Sequence, residues 1–115
     1  HKFAADLLLV KNTKLVAVAS SNLERAKSFS SKYKSKRFYD SYVGLFNDSE
    51  VQIIYIASLH PQHAELSIAA LKKGKAVLCE KPLAMNQRQV ESIIAIAKSQ
   101  STFIMEGLWT RFNPF

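Results

Sequence analysis

Four short apolar runs limit what this chain can fold into: KLVAVAS at 14–20, VQIIYIAS at 51–58, KAVLC at 75–79 and TFIME at 102–106. They are strand-length and, valine- and isoleucine-rich for the most part, stay apolar almost continuously instead of alternating with polar residues. Strands of that kind belong in a parallel sheet covered by helices on both faces. Between the runs the period changes. Leu23, Ala26, Phe29 and Tyr33 recur at helical spacing, as do Ala64, Ser67, Ile68 and Leu71, and Val90, Ile93, Ile94 and Ala97. Phe3 to Val10 predicts one more helix. Arg37 to Tyr39 reads as a short strand, and Ser41 to Asn47 as a brief helix turning Val43 and Phe46 inward. Helix and strand therefore alternate with short connections, which predicts an α/β fold with a doubly wound parallel sheet.

The punctuation agrees. Ser21-Asn22-Leu23-Glu24 matches a capping box with Ser21 at the cap. Pro61 falls in the first turn of a helix, Gly74 stops it, and Asn86 caps the next.

At 115 residues the chain is one domain's worth. Its longest apolar runs, such as LLLV at 7–10, are too short to span a bilayer, so no membrane partner is expected. No signal-peptide pattern opens the sequence, and because it opens on His1 rather than Met, further residues upstream are expected. The lone Cys79 sits in an apolar strand and reads as an inert core thiol. One unpaired cysteine fits a reducing compartment and a cytoplasmic location.

The formal charge of +7 raises the question of nucleic acid. Its cations group at Lys32, Lys34, Lys36 and Arg37, in a polar connector, and at Lys72, Lys73 and Lys75, at a helix end where they complement the dipole. Aromatic residues do not interleave with them as single-strand binding requires, and Tyr33, Tyr39, Tyr42 and Tyr55 read as packing. No nucleic-acid partner is expected; an anionic small ligand carrying phosphate suits the charge better.

In an open parallel sheet, ligands bind beyond the carboxyl ends of the strands. Those ends are Ser20-Ser21, Ser58-Leu59-His60, Glu80-Lys81-Pro82 and Glu106 to Arg111, where the chain's special residues gather. His60 and His63 are three apart, but two histidines do not make a zinc site, and no metal is expected.

The segments HPQH (60–63), KAVLCEKP (75–82) and MEGLWTRFNP (105–114) carry a family likeness. Glu80-Lys81-Pro82 after a KGK strand, about seventeen residues beyond a histidine, resembles the signature of the glucose-fructose oxidoreductase, inositol dehydrogenase and rhizopine-catabolism family. Within it, these segments look most like the dimeric dihydrodiol dehydrogenase branch. The resemblance covers the whole chain and departs from the family at one end. The family opens on a strand and a glycine-rich turn that brings backbone amides to a pyrophosphate. Only Gly44, Gly74 and Gly107 are present here, and none forms that motif.

The resemblance implies a Rossmann-like NAD(P)-binding domain, incomplete at its N-terminus, occupying residues 1–115 as a partial dinucleotide-binding domain. A C-terminal substrate domain would lie outside this chain. The missing strand is central in the family's sheet, so an interruption of the ladder is expected. The implied activity is that of an NADP-dependent oxidoreductase, with NAD the weaker candidate. It would move a hydride to or from a secondary alcohol of a cyclic diol or sugar, and the excerpt alone would be inactive. A non-catalytic module that senses a dinucleotide or binds a partner protein remains the alternative, and a homodimer of the full-length protein is left open.

The residues divide by strand end. The first strand ends in Ala19-Ser20-Ser21-Asn22, with no carboxylate among the four to take ribose hydroxyls, and Arg25 follows within one helical turn; small hydroxyls and an arginine suit a 2′-phosphate. Ser58, His60, Gln62 and His63 are expected along the nicotinamide, with helix-start roles as the plain alternative. Glu80, Lys81 and Pro82 are expected at the mouth of the crevice. Lys81 is the candidate catalytic group, turned inward if its bond to Pro82 is cis. Trp109 and Arg111 are expected to wall the nicotinamide and to donate to cofactor or partner strand.

Overall fold

The computed structural model describes residues 1–114. The chain divides into two compact units, His1–Val51 and Gln52–Phe115.

The first unit runs α1 (Lys2–Leu7), β1 (Ala17–Ala19), α2 (Leu23–Tyr33), β2 (Arg37–Tyr39) and α3 (Tyr42–Asn47). Strands β1 and β2 pair in parallel, Val18 opposite Phe38. Helix α1 ends at Leu7, short of the expected Val10. Backbone bonds from Leu9 to Asp6 and from Val10 to Leu7 tighten the turn, and the Thr13 hydroxyl takes the Leu7 and Val10 carbonyls. Helix α2 buries Ala26, Ser30 and Tyr33. Its cap is Asn22, not Ser21: Asn22 holds the extended conformation, and its Oδ1 accepts from Arg25 N at 2.9 Å. Ser20 Oγ in turn accepts from Asn22 N. The expected Ser21 capping box is thus displaced by one residue. Helix α3 buries Phe46 but leaves Val43 at 64% exposure, against expectation. The two are three apart on a six-residue helix, yet only Phe46 reaches the core.

The second unit runs β3 (Ile53–Ile56), α4 (His63–Lys72), β4 (Ala76–Glu80), α5 (Gln87–Ser99) and β5 (Ile104–Gly107). Short 3-10 turns precede α4 at His60–Gln62 and follow β5 at Trp109–Phe112. The sheet order is β3-β4-β5 and both pairings are parallel. Central β4 sends Val77 and Cys79 into the core, under Leu71 of α4 and Ile93 of α5, all without solvent exposure. Each of the large aliphatic side chains contributes about 1.5–3 kcal/mol by leaving water. Gly74 ends the α4 connection at φ +71°, a conformation that favours glycine. Asn86 caps α5 through Gln89 N.

The β1-β2 and β3-β4-β5 ladders are separate, the interruption that the family resemblance leads one to expect. Every strand pair is parallel, in keeping with the continuous apolar runs. No helix among the described residues is long and apolar enough to cross a membrane.

Candidate functional site

In the second unit three parallel strands end together. Ile56 lies opposite Cys79, Cys79 opposite Glu106, and Glu80 opposite Gly107. Ser58, Lys81 and Trp109 therefore leave the sheet along one rim, as parallel register requires. The Lys81–Pro82 peptide is cis.

Three side chains hold the turn that carries this peptide, one from each neighbouring segment. Tyr55 of β3 donates its hydroxyl to Glu80 Oε1. His63, at the start of α4, puts Nδ1 2.7 Å from the Pro82 carbonyl and Nε2 3.1 Å from the Ser58 carbonyl. Glu106 of β5 accepts from Leu83 N at 2.7 Å. His63 is wholly buried, at the start of α4. Its ring links the ends of β3 and β4 through two backbone oxygens, and a neutral ring can donate to only one of them at a time.

The remaining side chains face outward. Lys81, Trp109 and Arg111 are exposed, as are His60 and Gln62, while Ser58, Glu80 and Pro82 are half-buried. Lys81 makes no hydrogen bond or ion pair with the described residues, although its chain neighbour is a carboxylate. His60 lies edge-on to His63 at 5.5 Å between ring centres. Among the described residues no group of three or more His, Cys, Asp and Glu is placed to hold a metal ion.

Burial pushes the Tyr55 phenol's pKa well upward, and the bond to Glu80 adds to the shift. The hydroxyl therefore remains a donor at neutral pH. Burial also raises the Cys79 thiol, against a lowering by Ser67, which suits an inert core cysteine. Ser67 Oγ is buried and lacks a partner of ordinary hydrogen-bond geometry, so its contact with the thiol is weak.

In the first unit, β1 ends in half-buried Ser20 followed by exposed Ser21, Asn22 and Arg25. The Asn22 carbonyl oxygen is taken by the helix cap. The Ser21 hydroxyl and the Arg25 guanidinium make no hydrogen bond with the described residues. No carboxylate occupies the stretch from Ala19 to Leu23.

Sequence reasoning missed two members of this arrangement. In the sequence Tyr55 reads as packing, and Glu106 only marks a strand end. The register explains the bond: Tyr55 pairs with Leu78, and Glu80 lies two residues on, hence on the same face of β4.

Residues 2–108 match the model of an oxidoreductase family described by its NAD-binding Rossmann fold. A trans-1,2-dihydrobenzene-1,2-diol dehydrogenase of Xenopus tropicalis is 42% identical over 111 residues, covering 96% of this chain and 34% of the relative. The enzyme of that name from Homo sapiens is 45% identical over 100 residues, covering 87% and 30%. The chain thus spans about a third of the curated relatives it matches. A 3-ketoreductase from Actinomadura kijaniata, solved with NADP and TDP-benzene, superposes with a TM-score of 0.91 at 30% identity, covering 96% of this chain and 34% of that one. Myo-inositol 2-dehydrogenase from Lactobacillus plantarum shares the fold, with a TM-score of 0.86 at 24% identity and coverage of 96% and 33%.

Proposed function

The chain belongs to the oxidoreductase family with the NAD-binding Rossmann fold, and from that premise we propose that it is the nucleotide-binding part of an NADP-dependent dehydrogenase acting on a secondary alcohol of a cyclic diol or sugar. The observation that carries this reading is the rim of the second unit. An exposed lysine with no partner among the described residues projects from a turn held by Tyr55, His63 and Glu106.

When bound, the nicotinamide cofactor supplies the hydride chemistry. The chain's own residues bind and orient. Arg25 and Ser21 would hold the 2′-phosphate through charge-assisted and hydroxyl hydrogen bonds. Trp109 would cover the nicotinamide end, and Arg111 would donate to the cofactor or a partner strand. Lys81 would donate to the substrate oxygen and stabilise the charge that develops there. The 3-ketoreductase carries NADP and the curated relatives are named for a diol, which supports this cofactor and substrate class.

The test is the full-length protein with NADP or NAD and a panel of cyclic diols and sugars. Turnover with NADP is expected, with kcat falling about a hundredfold or more in Lys81→Ala while NADPH still binds. Binding without turnover across the panel would replace the enzyme by a dinucleotide sensor of the same fold.

A further inference from the structure

We propose that Tyr55 is a positioning residue that engages the Glu80 carboxylate and so keeps the neighbouring Lys81 ammonium available for substrate. The inference deepens the reading above and rests on it.

Glu80 and Lys81 are adjacent, and a carboxylate beside an ammonium is an obvious competitor for it. Yet no ion pair forms between them in the structure, and Glu80 is engaged elsewhere. Its Oε1 accepts from the Tyr55 hydroxyl. Its backbone pairs with Gly107, and a Cβ on that glycine would lie 3.5 Å from Glu80 Oε2. The carboxylate is thus held by a phenol from β3 on one side and laid against the β5 backbone on the other. Tyr55 is half-buried within the sheet, so its hydroxyl is delivered by a packed strand and not by a mobile loop. Removing that hydroxyl leaves Glu80 with one donor fewer. The nearest replacement along the chain is the Lys81 ammonium, whose long stem can turn back to it. A lysine paired with Glu80 gives up its donors to the wrong acceptor.

Tyr55→Phe in the full-length enzyme tests this, read by kcat, by NADPH affinity from nucleotide fluorescence, and by the melting temperature. The expected result is a fall in kcat of about tenfold, the scale of a hydrogen bond to a charged group. NADPH affinity should change far less. In a Glu80→Gln background no carboxylate remains to capture Lys81, so Tyr55→Phe should there cost nothing further. An equal loss of kcat in both backgrounds would overturn the inference and return Tyr55 to packing. If Tyr55→Phe does not fold, Glu80→Asp serves instead. Its carboxylate, one methylene short of the phenol, still neighbours Lys81; the same loss of kcat is expected, and an unchanged kcat overturns the inference. A wild-type protein that binds no NADPH and turns nothing over refutes the functional reading itself. A wild-type enzyme that works equally well without the Tyr55 hydroxyl refutes only the positioning role.

Discussion

At the scale of single residues, the proposed preference for NADP rests on Arg25. It is exposed on the first turn of α2, where its backbone N–H is spent on the cap. Replacement by alanine should therefore spare the helix and remove a charged donor. The KM for NADP should rise about tenfold or more, the worth of a hydrogen bond between charged groups, while the KM for NAD stays near its starting value. Equal changes for both cofactors would assign Arg25 to solvent. The neighbouring cap shows where residue-level legibility stops. Serine and asparagine both cap helices, and Ser21 carried the capping-box spacing to Glu24. Backbone conformation decided for Asn22, and one-residue displacements of that kind do not show in composition or spacing. Tyr55 was missed for a related reason. Its ring does pack, and its second role depends on register between β3 and β4, which only the folded sheet supplies.

At the scale of elements, the connection from α3 to β3 is organised by charge. Asp48 accepts a two-point bond from Arg37 of β2, at 2.8 and 2.9 Å, together with bonds from Tyr39 Oη and Glu50 N. Burial alone would raise the Asp48 carboxyl; the Arg37, Glu50 and Tyr39 hydrogen bonds outweigh it and hold the pKa below the usual aspartate range. Glu50 is lowered as well, first by Lys36 and then by Arg37. A depressed carboxylate contributes stability that is fully present above its unfolded-state pKa and is lost as pH falls through its folded-state pKa. The expected outcome is a urea midpoint that declines from the ordinary carboxylate range downward, and declines less steeply in Asp48→Asn. Parallel pH curves for the two proteins would remove Asp48 from the acid response. None of this network was legible beforehand, because Lys36 and Arg37 look like part of a solvated basic run. The elements were largely legible: each strand and α-helix overlaps the segment where it was expected, while the 3-10 turns at His60–Gln62 and Trp109–Phe112 were not foreseen. The errors fell at ends and faces, at Val10 and Val43, where one turn of backbone or one face of a short helix is settled by packing.

For the molecule as a whole, charge is the property that no single element owns. Sixteen lysines and arginines face nine aspartates and glutamates. Among the described residues, ion pairs form at Lys2, Lys36 and Arg37. The surplus produces a positive field, and added salt weakens such a field over distances beyond a Debye length of about 8–10 Å. A dinucleotide is an anion, and its 2′-phosphorylated form carries a further charge of about −1.5 to −2 at neutral pH, as a phosphate monoester does. Affinity for NADPH in the full-length protein should therefore fall as ionic strength rises, and fall more steeply than affinity for NADH. Arg25→Ala should bring the two slopes together, because the steeper one is ascribed to the extra phosphate and the cation that meets it. Fluorescence titrations across a salt series measure both slopes directly. Equal slopes in the wild-type protein would mean that the positive surplus serves solubility alone, and the choice between the two cofactors would then have to rest on uncharged contacts.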